Sequence, residues 1–180
     1  WVSEDILLDL ADSQTPQGIV AVVQKEEVGQ ADFSQGKFLF LEDVQDPGNV
    51  GTIIRTADAA GFTGVIVSDK SADIYSLKTL RSMQGSHFHL PIYRMSSQRL
   101  LKEAKEAAIS VLATTLSKDS VDYRELPPIE NFVLVMGNEG QGISPLMAES
   151  ADQLVHISMK GQAESLNVAV AAGILIFHLS

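Results

Sequence analysis

The stretch Phe132-Val-Leu-Val-Met-Gly-Asn-Glu-Gly-Gln-Gly-Ile-Ser-Pro145 joins a buried-strand pattern to a glycine-rich loop. Glycines at positions 137, 140 and 142 permit positive φ angles and let a ligand approach the backbone closely. The loop is not a Walker sequence, and it does not have the spacing of a dinucleotide fingerprint. Two interpretations remain open: a loop that binds a nucleotide or an adenosine, and a plain turn from a strand to a helix.

Short apolar runs alternate with helical patterns on both sides of this stretch, which predicts an α/β fold with a largely parallel sheet flanked by helices. The predicted strands cover residues 19–23, 38–42, 64–68, 88–93, 110–115, 131–136 and 154–157, and the predicted helices cover 49–60, 76–83, 98–108, 145–150 and 165–179. Strand 19–23 is predicted to be buried, and residues 24–37 to be a linker. Ligands of such sheets bind at the carboxyl ends of the strands, which makes Glu139 a candidate site residue.

A second stretch, residues 41–61, places a turn before an amphipathic helix. Asp46-Pro-Gly forms the turn, and Asn49 is a good N-cap. Apolar residues recur at helical spacing at Val50, Ile53, Ile54 and Ala57. The opposite face carries Gly51 one turn before Arg55, where a glycine would let a ligand approach the guanidinium. The alternative is a surface arginine on a capped helix that tolerates a glycine, at a cost of about 1 kcal/mol relative to alanine.

The last helical pattern, residues 165–179, is apolar on all sides, with Ser165 as its predicted N-cap. A helix that is apolar all round is buried, and this one is shorter than the ~20 residues that cross a bilayer. In a small α/β domain, such burial predicts a subunit interface. Asn167 is the polar exception. A buried asparagine needs hydrogen bonds, and the alternative is that Asn167 only helps to cap the helix.

The 180 residues carry a net charge of −10, which argues against nucleic acid because phosphate contacts need Lys and Arg. However, residues 55–105 hold eight of the 13 basic residues and four acids, so this window is +4 and the remainder is −14. Scattered surface charge explains the same pattern equally well. The chain has no cysteine, which excludes thiolate metal sites and fits a reducing cytoplasm. The four histidines lack metal-ligand spacing and are predicted to be structural.

Together, the three stretches resemble the three motifs of the SpoU/TrmH family of RNA 2'-O-ribose methyltransferases, in the SPOUT superfamily. The stretches that resemble motifs 1, 2 and 3 are, in turn, Asn49-Val-Gly-Thr-Ile-Ile-Arg55, Met136-Gly-Asn-Glu-Gly-Gln-Gly-Ile143, and Ile157-Ser-Met-Lys-Gly161 with Ser165-Leu-Asn-Val-Ala-Val-Ala171. Ser158 departs from the pattern, since many members have proline there. The resemblance covers about residues 15–180. It implies a deep C-terminal trefoil knot, S-adenosylmethionine as methyl donor without a metal, and a homodimer with composite active sites.

The resemblance also implies roles for individual residues. Arg55 is the predicted catalytic residue, with Asn49, Glu139, Ser165 and Asn167 as its supporting shell. The predicted cofactor contacts are Thr114, Thr115, Leu116, Gly137, Asn138, Gly140, Gly142, Ile157, Met159, Leu166 and Asn167. The predicted RNA contacts are Arg55, Arg81 and Ser82.

Ser13-Gln-Thr-Pro-Gln-Gly18 resembles the family's junction with an N-terminal, ribosomal-L30-like RNA-binding domain. We therefore expect residues 1–36 to be a remnant of that domain with a linker, and residues 37–180 to be the catalytic domain. The chain does not begin with Met, which suggests a fragment, and its acidic start is unlike a signal peptide. We expect a cytoplasmic protein without membrane contact.

The remnant favours ribosomal RNA as the substrate. The alternatives are a transfer RNA 2'-O-methyltransferase and a non-catalytic RNA-binding assembly factor on the same fold. A dinucleotide-dependent oxidoreductase is disfavoured, because no glycine fingerprint follows the first strand of the α/β pattern.

Overall fold

The structure, a computed structural model, describes residues 1–11, 17–25 and 28–180. Its helices are α1 (Glu4–Leu10), α2 (Pro47–Ala59), α3 (Leu77–Met83), α4 (Ser97–Ala107), α5 (Pro145–Ser150) and α6 (Val168–Leu179). Its strands are β1 (Lys37–Leu41), β2 (Gly64–Val67), β3 (Ile92–Arg94), β4 (Ser110–Thr114), β5 (Val121–Asp122), β6 (Phe132–Met136) and β7 (Gln153–His156). Short 3₁₀ helices cover Ser86–Phe88 and Tyr123–Glu125.

The seven strands form one sheet in the order β3-β2-β1-β6-β4-β7-β5, and every neighbouring pair is parallel. Leu41 at the end of β1 lies opposite Met136 at the end of β6, and Thr114 at the end of β4 lies opposite Val155 in β7. The carboxyl ends of the central strands therefore meet at one edge of the sheet. These observations confirm the predicted α/β fold, and the trefoil knot stays a prediction.

Apolar side chains cover both faces of the sheet. One core cluster packs the first face against α2, α3 and α6, and a second cluster packs the other face against α4 and α5. Strand β1 shows the alternation: Leu39 and Leu41 belong to the first cluster, whereas Phe38 and Phe40 belong to the second. Each such fully buried side chain contributes about 1.5–3 kcal/mol, so the sheet is a rigid base for the loops at its carboxyl edge.

Residues 19–23 do not form the predicted buried strand. They are exposed and belong to no helix or strand, with Ile19 at 84% and Val22 at 100% relative exposure. An apolar run becomes a strand only where a neighbouring strand pairs with it, and the sheet here is assembled from later parts of the chain.

In the predicted linker, Phe33 is buried edge-on against Phe38, with ring centroids 4.9 Å apart. Most of the stretch 13–18 lies outside the described residues.

The predicted strand 88–93 is wrong over its first half. Residues Ser86–Phe88 form a 3₁₀ helix, and only Ile92–Arg94 is a strand. The amides of His89 and Leu90 donate to the Ser86 carbonyl at 3.0 and 2.9 Å, so local bonds satisfy the groups that a strand would pair. His87 therefore lies in this 3₁₀ helix, and His89 directly follows it.

Two helix starts also differ from the predicted ones. Helix α2 begins at Pro47, and its N-cap is Asp46 rather than Asn49, because Asp46 Oδ1 accepts from the Asn49 amide at 2.8 Å. Helix α6 begins at Val168 with Asn167 as its N-cap, rather than at Ser165.

Helix α1 and strand β5 were not predicted. Among the described residues, no helix is both long and apolar enough to cross a membrane.

Candidate active site

A cavity of about 700 Å³ opens at the carboxyl ends of β6, β4 and β7. This volume lies within the range of about 300–1,000 Å³ that is usual for small-molecule sites. Its walls come from the segments that follow β4 and β7, from the glycine-rich loop after β6, and from the residues before and in α6. The sheet thus brings together segments that lie far apart in the sequence.

All eleven residues predicted to contact the cofactor line this cavity, and so do Glu139 and Ser165. The sequence prediction missed ten further lining residues: Met136, Gln141, Ile143, Ala148, Val155, His156, Glu164, Val168, Ala171 and Leu175. Most of these are apolar members of predicted strands and helices, whose pattern marks burial but does not distinguish a core from a cavity wall.

The glycine-rich loop folds back tightly on itself. The backbones of Asn138 and Gly142 exchange two hydrogen bonds of 2.9 Å, and Asn138 Oδ1 accepts from the amides of Gly140 and Gln141. A Cβ atom at Gly137 would overlap the backbone of Gly142 and Ile143, with the Gly142 oxygen only 2.6 Å away. Glycine is therefore required at 137, because only glycine lets the loop backbone pass this close to Gly142 and Ile143.

Glu139 ties this loop to the start of α2. Its carboxylate accepts from the amides of Gln45 and Asp46, both at 3.2 Å, and from Asn49 Nδ2 at 3.1 Å. Desolvation raises the pKa of Glu139, but these donated hydrogen bonds and that of its own amide outweigh it, so the net pKa lies below its usual value. A carboxylate with a depressed pKa stabilises the folded state at pH values above its ordinary pKa, and this stabilisation is lost as the pH falls through the depressed pKa. The Glu139 anchor is therefore complete at neutral pH.

Asn49 and Asn167 continue the connection to α6. Asn167 Nδ2 donates to Asn49 Oδ1 at 3.1 Å, while Asn167 Oδ1 caps α6 by accepting from the amides of Ala169 and Val170. The chain Glu139–Asn49–Asn167 thus links three sequence-predicted residues, of which Glu139 and Asn167 line the cavity. Ser165 lines the cavity two residues before the cap.

The sequence prediction also missed Glu42, which directly follows β1. Its carboxylate is 3% exposed and accepts from Ser97 Oγ at 2.6 Å, and from the amide and hydroxyl of Ser144 at 2.8 Å each. Ser144 is the N-cap of α5, so Glu42 fixes the end of the glycine-rich loop to the sheet. The sequence signal that could have identified Glu42 is a charged residue at the carboxyl end of a buried strand.

The predicted RNA contacts lie outside the cavity. Arg55 is exposed on α2, and no hydrogen bond or ion pair to its guanidinium occurs within the described part of the chain. Arg81 is exposed on α3, and Ser82 donates to the Lys78 carbonyl at 2.9 Å.

Gly51 is buried instead of lying on the ligand-facing side of α2. A Cβ atom there would come within 2.5 Å of Ser82 Cβ and 2.6 Å of the Thr79 oxygen. This glycine therefore permits close packing of α2 on α3, and the expectation that it opens space beside Arg55 is wrong.

The lining chemistry suits a nucleoside-like ligand rather than a metal ion. Leu116, Ile157 and Leu166 provide apolar walls, and the glycine-rich loop provides close backbone groups. Within residues 1–11, 17–25 and 28–180, no cluster of three or more His, Asp or Glu side chains is placed to hold a metal.

The sequence of the chain is similar to those of known proteins. The model of the SpoU rRNA Methylase family matches residues 36–177. The 23S rRNA (guanosine(2553)-2'-O)-methyltransferase RlmP of Bacillus subtilis (strain 168) is 45% identical over 178 residues, which are 99% of this chain and 71% of RlmP.

Solved structures of similar proteins have a similar fold. The AdoMet-bound rRNA methyltransferase from Sinorhizobium meliloti has 42% identity and a TM-score of 0.76, over 79% of this chain and 55% of that one. The SpoU methyltransferase AviRb from Streptomyces viridochromogenes, in complex with AdoMet, has 35% identity and a TM-score of 0.73, over 83% and 60%. The chain spans little more than half the length of these two structures. Because the family match covers most of its residues, the chain belongs to the SpoU rRNA Methylase family.

Proposed function

We infer that the chain is an RNA methyltransferase that transfers a methyl group from S-adenosylmethionine to a ribose 2'-hydroxyl. The observation that carries this inference is the hydrogen-bonded chain Glu139–Asn49–Asn167, which joins the cavity to the helix that bears Arg55. A site for a methyl donor is thereby coupled to a cation that suits an RNA phosphate.

The residues around the cavity fit S-adenosylmethionine. The tight loop at Gly137 brings backbone groups to the cavity, and the start of α6 borders it through Leu166 and Asn167. A helix N-terminus favours negative charge such as the carboxylate of the methionyl part. When bound, the cofactor supplies an electrophilic methyl group on a sulfonium. Asn49 and Asn167 would position the ribose, and Glu139 would hold Asn49 in place.

The substrate we propose is ribosomal RNA, by analogy with RlmP, whose name specifies a guanosine of 23S rRNA. A ribosomal substrate places the protein in the cytoplasm. We propose that residues 37–180 form the catalytic domain, which agrees with the family match from residue 36, and that residues 1–36 are a remnant of an RNA-binding domain with a linker. Methylation of transfer RNA alone would favour the alternative substrate.

Titration of the purified chain with S-adenosylmethionine in a calorimeter tests the cofactor. We expect saturable binding at one site per chain and no binding of NADH, because the loop lacks a dinucleotide fingerprint. Binding of NADH in place of S-adenosylmethionine would indicate an oxidoreductase. If neither compound binds, the non-catalytic assembly factor is favoured.

We propose that the chain forms a homodimer through α6. Its outer face carries Val170, Gly173, Ile174 and Phe177, which share one side of the helix. Val170 and Phe177 are 52% and 59% exposed in the single chain. A second copy would cover this apolar face, and the family resemblance implies that residues of both protomers would then complete each active site.

Phe177→Asp is expected to dissociate the proposed dimer, because an unpaired charge in an apolar interface costs several kcal/mol. Sedimentation at micromolar concentration should show a dimer for the wild type and a monomer for the variant. Val22→Asp is the matched control, since Val22 is fully exposed on the N-terminal segment, and it should remain dimeric. A monomeric wild type would refute the proposed dimer.

A further inference from the structure

The turn after α3 presents an aromatic ring to solvent. Five of the seven phenylalanines are buried, and Phe177 belongs to the proposed dimer face. Phe88 is the most exposed of the seven at 67%, and nothing in the function described so far uses it. One exposed apolar residue is ordinary, so its surroundings decide whether it has a role.

Phe88 packs against a second ring at a tilt. The imidazole of His87 lies 4.0 Å from it between centroids, at an interplanar angle of 38°. His87 Nδ1 is buried without a hydrogen-bond partner in the described part of the chain. Desolvation, and then the nearby His89, lower the pKa of His87, so this ring is neutral at neutral pH. The two tilted rings form an aromatic pair, called the platform below, whose exposed member is Phe88.

The platform adjoins the helix that carries Arg55. His89 Nδ1 lies 3.3 Å from Asp58 Oδ2, which fastens the end of the turn to α2. Asp58 follows Arg55 by three residues, so the two side chains are neighbours on the helix surface. The 3₁₀ helix that ends in the exposed Phe88 therefore packs beside the helix that carries the exposed Arg55.

This combination is what an unpaired nucleotide requires. Sequence-specific proteins read RNA mainly at unpaired bases, which stack on aromatic side chains while cations hold the phosphates. A folded protein partner would need a wider apolar patch than one ring. The local charge is also suitable, since residues 55–105 are the +4 window of an acidic chain.

We propose that Phe88, backed by His87, stacks an unpaired base of the RNA substrate close to the nucleotide whose phosphate Arg55 holds. This proposal rests on the proposed function. It makes Phe88 a specificity residue that selects loops over continuous helices, because a base inside a duplex already stacks on its neighbours.

The test measures RNA binding by fluorescence anisotropy at low salt, so that it does not depend on methyl transfer. The probe is a labelled hairpin that carries the 23S rRNA loop corresponding to the guanosine named for RlmP. Phe88→Ala should weaken binding roughly 5- to 150-fold, the range expected for the loss of one stacked base. Phe88→Trp should retain most of the affinity, and Phe88→Leu should not. Leu77→Ala, which removes a 51% exposed apolar side chain from α3, is the matched control and should bind like the wild type.

A series of hairpins, each with one abasic nucleotide in the loop, then identifies the stacked base. At one position, removal of the base should weaken wild-type binding, and Phe88→Ala should add little further loss. The proposal is overturned if Phe88→Ala binds every hairpin like the wild type, if its loss is equal on all abasic hairpins, or if sedimentation shows that the variant loses a dimer. A wild type that binds the hairpin through Phe88 but transfers no methyl group would count against the proposed function alone.

Discussion

Arg55→Ala is expected to slow methyl transfer to RNA roughly 10²- to 10³-fold, the usual loss when one stabilising donor is removed from a transition state. In the proposed reaction, the guanidinium holds the phosphate beside the reacting ribose and stabilises the charge that develops on the 2'-oxygen. Guanidinium groups stay charged in proteins, so water or phosphate receives the proton. Because Arg55 does not line the cavity, the affinity for S-adenosylmethionine should change little.

Single-turnover methylation rates measure this effect, and two further variants interpret it. Arg55→Lys keeps the charge but loses the planar fork, so substantial activity would indicate that charge alone matters. Arg99→Ala is the matched control, because Arg99 is paired with Glu103 on the distant α4, and it should react at the wild-type rate. A wild-type rate for Arg55→Ala would remove Arg55 from the mechanism.

Gly137→Ala is expected to weaken S-adenosylmethionine binding by about 100-fold, near the upper end of the 1–3 kcal/mol range for overpacking. The added methyl group would overlap the backbone of Gly142 and Ile143, and the loop can relieve this overlap only by opening. Calorimetry measures the affinity, and thermal unfolding shows whether the fold persists.

Gly29→Ala is the control for this substitution, since a Cβ atom at Gly29 meets no atom within 4 Å. It should bind the cofactor like the wild type. If Gly137→Ala retains normal affinity and normal stability, the cavity assigned to the cofactor is in the wrong place.

The two variants together test whether the active site is shared between protomers. Co-expressed Arg55→Ala and Gly137→Ala chains form mixed dimers in which one protomer has an intact cavity and the other an intact Arg55. If Arg55 acts across a twofold interface, random mixing restores about a quarter of the wild-type rate. If it acts within one chain, no activity returns.

Part of the cavity could be predicted from local signals, whereas the full set of cofactor contacts followed from the resemblance to the SpoU/TrmH family. The glycines at 137, 140 and 142 after a buried strand mark a loop at the carboxyl edge of the sheet, and all three line the cavity. Asn167 could be singled out as the polar residue of an apolar helix, and it is both the cap of α6 and a partner of Asn49. The parallel sheet itself follows from alternating strand and helix patterns.

The remainder depends on contacts between distant residues. Glu42 acquires its role only because Ser97 and Ser144 are brought to it from positions 55 and 102 residues away. The helical pattern places Gly51 on the exposed face of α2, and only the packing of α3 against this residue shows that it is buried. Asp46 and Asn49 are both good N-caps, so the sequence alone does not decide where α2 begins. In the structure the side chain of Asn49 donates a hydrogen bond to Glu139 instead, and Asp46 is the cap.

The most direct test of the account is to incubate the purified chain with S-adenosylmethionine labelled in its methyl group and unmodified ribosomal RNA, and then to map the label by nucleoside digestion. We predict label on a ribose 2'-oxygen at one nucleotide of 23S rRNA, at a rate that Arg55→Ala lowers roughly 10²- to 10³-fold and that Arg99→Ala leaves unchanged. Label on a base, or no transfer to any RNA by a chain that binds the cofactor, would contradict the account.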